Sequence, residues 1–246
     1  MKLSVVIPAF NEERCIGACL RAVIKEAAFS GCETEIVVVN NASTDRTGAV
    51  AACFPGVKVV NEPRKGLSMA RQRGYQESRG DLIANVDADC LMPRGYMTRI
   101  MRHFAATPRL ALLTGPFFYY DLPQWAQIVS RIFYSLEILP NFLGQYVFKL
   151  GAVAQGGNYV VRRSLLDKIG GYNTSIDFYG EDTDIAIRLS HVGLVRFSMR
   201  FSMKTSGRRL AKEGVLRAGY LYFLNIIFMI FRGRPLHRSH NDIRAM

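Results

Sequence analysis

Residues 3–10 read LSVVIPAF and residues 35–40 read EIVVVN, and these two stretches decide the fold class. Both are short, continuous apolar runs rich in β-branched residues, which is typical of strands buried on both faces. Between them, Ile16, Leu20 and Val23 recur at helical spacing. The pattern predicts a strand, a helix and a second strand, the unit from which parallel sheets are built.

The alternation of strands and helices continues outward from this unit. We predict an α/β protein with a mostly parallel sheet flanked by helices and a C-terminal appendage that is apolar, basic and helical. Ser164 is expected to cap a short helix that Gly170 closes, and Pro140 to break a helical insertion over 128–148. The other predicted elements are helices over 47–54, 67–78 and from 180, and strands over 57–60, 81–89, 110–115 and 155–163.

The charge of the chain indicates a polyanionic partner. Its 246 residues include 32 Lys and Arg against 20 Asp and Glu, a formal net charge of +12. Nucleic acid, an anionic membrane or phosphorylated ligands would all satisfy that charge. The sequence lacks an aromatic and basic platform motif, so we expect no nucleic-acid partner.

The cysteines and the amino end indicate a cytoplasmic protein. The five cysteines are odd in number and form no CxxC pair, which favours a reducing compartment and a role as small core residues. Pro8, Glu12 and Glu13 stand where a signal peptide would need its apolar region and cleavage site. We therefore predict a cytoplasmic location.

Polar side chains follow three of the predicted strands. Asn11 and Glu12 follow the first, residues 40–45 follow the second, and Asp87 and Asp89 end the fourth. In open α/β sheets, ligands bind at the carboxyl ends of the strands. The DAD spacing puts two carboxylates on one side of an extended backbone, where they suit Mg²⁺ or Mn²⁺. An isolated DxD is more often an acidic turn, so the prediction depends on its neighbours.

Five motifs in order support that prediction. They are VVIPAFNEE, VVVNNASTDRT, KGLSMARQRG, NVDAD and GEDTDIAIRL. Together, over residues 1 to about 200, they resemble the family 2 glycosyltransferases of the Rossmann-like GT-A fold. The resemblance implies an inverting transferase that uses a nucleotide-diphospho-sugar and a divalent metal, Mg²⁺ or Mn²⁺. It also implies a domain over 1–207, with a nucleotide-binding half (1–115) and an acceptor-binding half (116–207), followed by the appendage over 208–246.

The resemblance also assigns roles to individual residues. Asp182 would be the catalytic base with Glu181 beside it, and Asp89 the principal metal ligand. Asp87 would contact the metal, its bound water or the ribose, and Arg71 would lie near the base or phosphates. The remaining nucleotide-binding residues would be Pro8, Ala9, Asn11, Glu12, Asn41 and Asp45.

The sequence departs from the family pattern at two places. Asn40 and Asn41 stand where the family commonly has Asp, so UDP is favoured but the nucleotide stays open. The QxxRW motif of processive members is absent, which indicates transfer of a single sugar. In its place Arg208 and Arg209 could close over the diphosphate, or they could form a basic pair at a membrane surface.

Two glycines and two apolar segments have alternative explanations. Gly156 and Gly157, with Asn158, could let a sugar approach the backbone, or could simply form a tight turn. The apolar run over 218–231 is too short to cross a membrane, which takes about 20 residues. With the insertion around 133–148, it could bind the cytoplasmic membrane surface and reach a lipid-linked acceptor, or both segments could pack on protein.

Three functions therefore stay open at this point. The leading hypothesis is a glycosyltransferase that acts on a lipid-linked or glycan acceptor in the synthesis of cell-envelope polysaccharide or glycolipid. A nucleotidyltransferase would also use paired aspartates and a metal, but it leaves GED over 180–182 unexplained. A non-catalytic protein that binds nucleotide sugars or membranes is the third.

Overall fold

A computed structural model describes residues 1–142, 154–176 and 180–232. The strands are β1 (Leu3–Ala9), β2 (Thr34–Asn41), β3 (Val57–Glu62), β4 (Leu82–Val86), β5 (Leu110–Thr114), β6 (Phe117–Tyr119), β7 (Asn158–Arg162), β8 (Leu194–Phe197) and β9 (Met203–Thr205). The helices are α1 (Ile16–Ser30), α2 (Thr47–Ala52), α3 (Leu67–Glu77), α4 (Tyr96–Ala106), α5 (Gln124–Phe142), α6 (Arg163–Lys168), α7 (Glu181–Ser190), α8 (Arg208–Glu213) and α9 (Val215–Arg232).

The central sheet has seven strands in the order β3-β2-β1-β4-β7-β5-β8, and β6 pairs with β9 in a second, small sheet. β1 to β4 are mutually parallel, whereas β7 runs antiparallel between β4 and β5. The prediction of a mostly parallel α/β sheet is therefore confirmed. Because β7 lies between two strands of the 1–115 half, the two predicted halves share one sheet.

Helices cover both faces of the sheet. Val5 and Ile7 point to one face, where they join Leu20 of α1 and Ile100 of α4 in one buried cluster. Val6, between them, belongs to the cluster on the other face, with Ala70 of α3 and Ile185 of α7 among its members. Burial on both faces explains why the strands are continuous apolar runs rather than alternating ones.

Several local predictions were wrong. The helix expected to be capped by Ser164 begins at Arg163 with no side-chain cap. α5 continues two residues past Pro140, where we expected a break. Proline removes only one backbone donor, so a helix can continue past it at the cost of one hydrogen bond. Residues 143–148 of the predicted insertion lie outside the described residues. The chain also forms β6, β8, β9 and α4, which we did not predict.

The five cysteines are all free thiols, but they are not all core residues. Cys19 and Cys90 are buried, Cys15 and Cys32 are partly exposed, and Cys53 is exposed. The expectation of buried cysteines was therefore right for two of them and wrong for Cys53.

α9 packs one side against the domain. Ala218 and Asn225, seven residues apart, are buried, whereas Tyr220 is 62% exposed. Among the residues that the structure describes, no helix is long and apolar enough to cross a membrane. Residues 233–246, the end of the predicted basic appendage, lie outside the described part of the chain.

Asn158 has a structural role where we had considered a sugar contact. Its amide nitrogen donates to the carbonyl oxygens of Gly115 (2.8 Å), Pro116 (3.2 Å) and Phe201 (3.2 Å), and Tyr96 donates to its oxygen (2.7 Å). The side chain is fully buried. It therefore joins β7 to the chain segments that follow β5 and β8.

We expect Asn158→Ala to lower the free energy of unfolding by about 2–4 kcal/mol, because it leaves several buried polar groups unpaired. Urea denaturation followed by circular dichroism measures the change. Asn61→Ala is the matched control, since Asn61 is exposed and makes a single side-chain bond, to Asn40 (3.0 Å). Equal losses in the two variants would contradict the assigned role.

Candidate active site

The loops after β1 and β2 hold each other in place. Asn11 adopts a left-handed conformation (φ 51°), and its side-chain oxygen accepts a hydrogen bond from the Thr44 backbone amide (2.9 Å). Asp45 accepts from the amides of Glu13 (3.1 Å) and Thr47 (2.9 Å), and these and related bonds hold its pKa below the usual value despite its partial burial. The two loops therefore form one rim of the candidate site. This rim carries Asn11 and Asp45, two of the predicted nucleotide-binding residues.

The ends of β1 and β2 lie side by side below this rim. Pro8 pairs with Val39 and Ala9 with Asn40 in parallel register. The Asn41 amide is buried and makes three bonds to backbone: it donates to the carbonyls of Glu62 (3.1 Å) and Arg64 (2.7 Å) and accepts from Gly66 (2.9 Å). The side chain of Asn41 thus holds the loop between β3 and α3.

Arg208 lies between two carboxylates from different strand ends. Its guanidinium forms ion pairs with Glu12 and with Asp89 (3.2 Å). The other Asp89 oxygen accepts a hydrogen bond from the Thr205 hydroxyl (3.2 Å). The Glu12 and Asp89 side chains are only 3% and 15% exposed. A residue nearly 200 positions away from Glu12 therefore closes this side of the site.

Arg209 does not share that position. It pairs with Glu213 on the same helix (3.1 Å) and lies over the Tyr222 ring of α9. The Asp121 carboxylate fixes the start of α8 by accepting bonds from the Ser206 hydroxyl and the Gly207 amide. Of the two arginines predicted for the diphosphate, only Arg208 contacts the candidate site.

A buried arginine joins the two predicted acidic centres. Arg71 is fully buried and pairs with Glu181 and with Asp87 (3.4 Å), while its guanidinium lies 5.2 Å from the centre of the Tyr159 ring. Burial alone would lower the pKa of Arg71, but the two carboxylates raise it above its ordinary value. Arg71 thus ties the end of β4 to the first turn of α7.

Asp182 is held by backbone amides beside this cluster. One carboxylate oxygen accepts from Gly156 (2.9 Å) and the other from Thr183 (2.8 Å). Burial raises the pKa of Asp182 above its usual value, although these amides oppose the change. Burial also raises the pKa of Glu181, with Arg71 opposing the rise and Asp182 adding to it. Arg71 therefore stabilises the charged form of both acids, and the two amides also stabilise that of Asp182.

The two glycines before β7 sit between the acidic centres. A Cβ at Gly157 would lie 2.1 Å from the Asp87 carboxylate, and its φ of 75° also requires glycine. A Cβ at Gly156 would lie 3.1 Å from Asp182 and 3.3 Å from Glu181. The glycine pair therefore lets both carboxylate groups approach the same backbone turn.

Asp87 and Asp89 would hold a divalent metal only together with further ligands. Over residues 1–142, 154–176 and 180–232, no group of three His, Cys, Asp or Glu side chains could hold a metal ion. Two carboxylates supply hard oxygen ligands, and Mg²⁺ and Mn²⁺ commonly complete their shell with phosphate oxygens and water. Asp87, with 37% of its side chain exposed, can accept such a ligand. The donor set therefore fits a metal that arrives with a diphosphate.

Sequence reasoning missed three residues of the site. Thr205 contacts Asp89, Tyr159 lies beside Arg71, and Asp121 positions the helix that carries Arg208. None lies within a polar cluster at a strand end of the first half. Tyr159 lies on β7, Thr205 on β9 and Asp121 just after β6. No local sequence pattern indicates that these segments reach the site.

The fold defines the class of protein. The chain superimposes on a mannosyltransferase from Pyrobaculum calidifontis, solved with GDP-Man and Mn²⁺, with a TM-score of 0.69 at 19% identity, covering 93% of this chain and 62% of the other. The seven-stranded sheet with acidic strand ends is thus the GT-A fold of glycosyltransferases.

The sequence places the chain within that class. Residues 4–170 match the model of glycosyl transferase family 2, and the chain belongs to this family. It is 30% identical over 210 residues to the probable glycosyltransferase YdaM of Bacillus subtilis, covering 80% of this chain and 48% of YdaM. It is 25% identical over 202 residues to the β-monoglucosyldiacylglycerol synthase of Synechocystis, covering 76% of this chain and 40% of that protein. The chain spans about half the length of these curated relatives or less.

We expect Arg71→Met to lower the free energy of unfolding by about 3–5 kcal/mol, because it leaves Glu181 buried without a counter-ion. Adding Glu181→Gln removes that charge, so the double variant should regain part of the loss. Urea denaturation of both single variants and the double variant measures the coupling. Strictly additive losses would show that the two side chains do not stabilise each other.

Proposed function

We propose that the protein is an inverting glycosyltransferase that moves one sugar from a nucleotide-diphospho-sugar to a hydroxyl group of the acceptor. The observation that carries the proposal is the Asp87–Arg71–Glu181 cluster. It joins the acidic end of β4 to the helix turn that holds Asp182. A donor bound at Asp87 and Asp89 would therefore have its sugar near a carboxylate suited to act as a base.

The donor nucleotide would bind along the ends of β1, β2 and β4. Pro8, Ala9, Asn11, Glu12 and Asp45 supply the wall for base and ribose. Asn41 contributes to the nucleotide site indirectly, by holding the loop over 62–66 with its amide. We assign Arg71 to positioning Asp87 rather than to contacting phosphate. The Pyrobaculum enzyme holds GDP-Man, so guanine as well as the favoured uracil must be tested.

The metal, Mg²⁺ or Mn²⁺, would be held by Asp89 with Asp87, and when bound it supplies positive charge that stabilises the diphosphate. Asp182 accepts the proton of the acceptor hydroxyl as that oxygen bonds to the anomeric carbon. The bond from the same carbon to the diphosphate oxygen breaks on the opposite side, and the nucleotide diphosphate leaves with its electron pair. Arg208 moves from Glu12 and Asp89 to the leaving phosphates, where its guanidinium offsets their charge.

Glu181 keeps a separate role in this proposal. It is buried against Arg71, so it holds the first turn of α7 in place while Asp182 exchanges the proton. Gly156 contributes its backbone amide, which keeps the Asp182 carboxylate aimed at the turn where the donor sugar would lie. Glu181 is thus a positioning residue, whereas Asp182 is the catalytic base.

The acceptor in this proposal is a lipid-linked molecule or a glycan, and the enzyme works at the cytoplasmic face of the membrane. One relative is named for the synthesis of a glucosyl diacylglycerol, which is a lipid product. The positive charge of the chain and the exposed Tyr220 of α9 also support an acceptor at a membrane surface.

The alternatives fit the site less well. A nucleotidyltransferase would use Asp87, Asp89 and a metal, but it would give Asp182 no proton to accept. A non-catalytic binding protein would have no need for a carboxylate held by two backbone amides at the acceptor side. We therefore keep both as outcomes of the following test.

We expect Asp182→Asn to reduce sugar transfer by about 10²–10⁴-fold, because the amide cannot accept the acceptor proton. Nucleotide binding should persist, so UDP or GDP with Mn²⁺ should still raise Tm in a thermal-shift screen. The control is Asp184→Asn, two residues along α7, where the carboxylate pairs with Arg188 (3.3 Å). Transfer at the wild-type rate by Asp182→Asn would exclude Asp182 as the base.

We expect Arg208→Gln to lower kcat by about 10²–10³-fold, the usual loss when one stabilising donor is removed from a developing anion. Arg209→Gln is the matched control, because Arg209 pairs with Glu213 and should leave kcat within about threefold of wild type. Steady-state kinetics with saturating Mn²⁺ compare the two. Equal effects would assign both arginines to structure or to the membrane surface.

A further inference from the structure

α5 turns three large apolar side chains away from the protein. Ala126, Ser130 and Tyr134 are buried at successive four-residue steps and define its inner side. Trp125, Ile128 and Ile132 are 59%, 57% and 56% exposed. We call these last three residues the α5 apolar face. A helix that only packed on the domain would bury its Trp and Ile and expose its Ser, so this arrangement is the reverse of the usual one.

The α5 apolar face begins beside the candidate active site. Tyr120, four residues before the start of α5, donates a hydrogen bond to the backbone carbonyl of Asp89 (3.4 Å). Asp121 binds the start of α8, and Leu122 lies so close to Gly207 that a Cβ there would be 2.2 Å from it. One short segment therefore connects the DAD loop, the helix of Arg208 and the first exposed residue of the face.

Exposed basic side chains lie on α5 itself and on α8 and α9. Arg131, on the same helix, is exposed and lies over the Phe118 ring (4.6 Å). Residues 124–135 contain no acidic side chain. Lys212 and Arg217, at the end of α8 and the start of α9, are also exposed. Exposed apolar side chains on the same helix as Arg131, in a chain with a formal net charge of +12, complement an anionic lipid surface.

We propose that the α5 apolar face docks on an anionic phospholipid bilayer, inserting Trp125, Ile128 and Ile132 at the level of the headgroups. The docking deepens the proposed function, because it would present the active site to an acceptor that stays in the bilayer. Only this benefit of docking rests on the proposed function. The evidence for the surface itself is the outward Trp and Ile side chains, the exposed Arg131 on the same helix and the net positive charge of the chain.

The chain reports this docking directly, because Trp125 is its only tryptophan. We expect vesicles of phosphatidylglycerol and phosphatidylcholine to shift the emission of the full-length protein to shorter wavelength. Lipids brominated near the headgroup end of the acyl chain should quench it. Pure phosphatidylcholine vesicles should give a much smaller shift, and raising the salt concentration should weaken binding.

The double variant Ile128→Ser/Ile132→Ser keeps the reporter and removes most of the other apolar surface of the face. We expect its affinity for the anionic vesicles to fall by at least about tenfold, because two partly buried Ile side chains are lost from the lipid contact. Val192→Ser/Met199→Ser is the matched control, since these residues are exposed apolar side chains (37% and 38%) outside α5. It should bind the vesicles like wild type.

Four outcomes would overturn the proposal. They are unchanged emission with anionic vesicles, an equal response to zwitterionic vesicles, wild-type binding by the Ile variant, and emission that is already at short wavelength and protected from iodide without lipid. The last would mean that a second copy or another part of the chain covers the face, and light scattering would separate those two. The thermal shift with nucleotide and Mn²⁺ reports the donor site separately, so a failed docking test leaves the proposed reaction standing, and the reverse also holds.

Discussion

The buried guanidinium of Arg71 is the constraint on which the active site depends. A charge without solvent requires counter-ions in contact, and here they come from the end of β4 and the start of α7. If either Asp87 or Glu181 moved away, the buried Arg71 would lose one of its two counter-ions. The distance between the acid that would hold a metal and the helix of the proposed base is therefore set by one buried ion cluster.

The antiparallel strand β7 explains why this cluster can form. It enters the sheet between β4 and β5, and the glycine turn before it passes between Asp87 and Asp182. Any side chain at Gly157 would occupy the position of the Asp87 carboxylate. The two halves of the chain thus meet within one sheet, so backbone hydrogen bonds hold the proposed donor and acceptor sides together.

Arg208, on the other side of the site, is less deeply buried than Arg71. Arg208 is held by Glu12 and Asp89, and its helix is held by Asp121, so the charges that would receive a metal and diphosphate are already neutralised by the protein. The metal and the diphosphate of a donor would replace these ion pairs with new ones. This exchange costs less than inserting charge into an unprepared site. Tyr120 and Asp121, which contact Asp89 and the start of α8, lead directly into α5. The candidate site and the α5 apolar face are therefore structurally linked.

The sequence by itself determined the alternation of strands and helices in the first half. Apolar runs such as 3–10 and 35–40 can be buried only as central strands, and polar residues at their ends must then gather at one edge of the sheet. That reasoning predicted Asp87, Asp89 and the rim with Asn11 and Asp45. Only the tertiary structure decided that Asn41 holds a loop and that Arg71 joins two acids. It also decided that Arg208 and Arg209 have different partners, and that α5 exposes Trp125. These contacts join residues far apart in the chain, and local patterns carry no information about such distances.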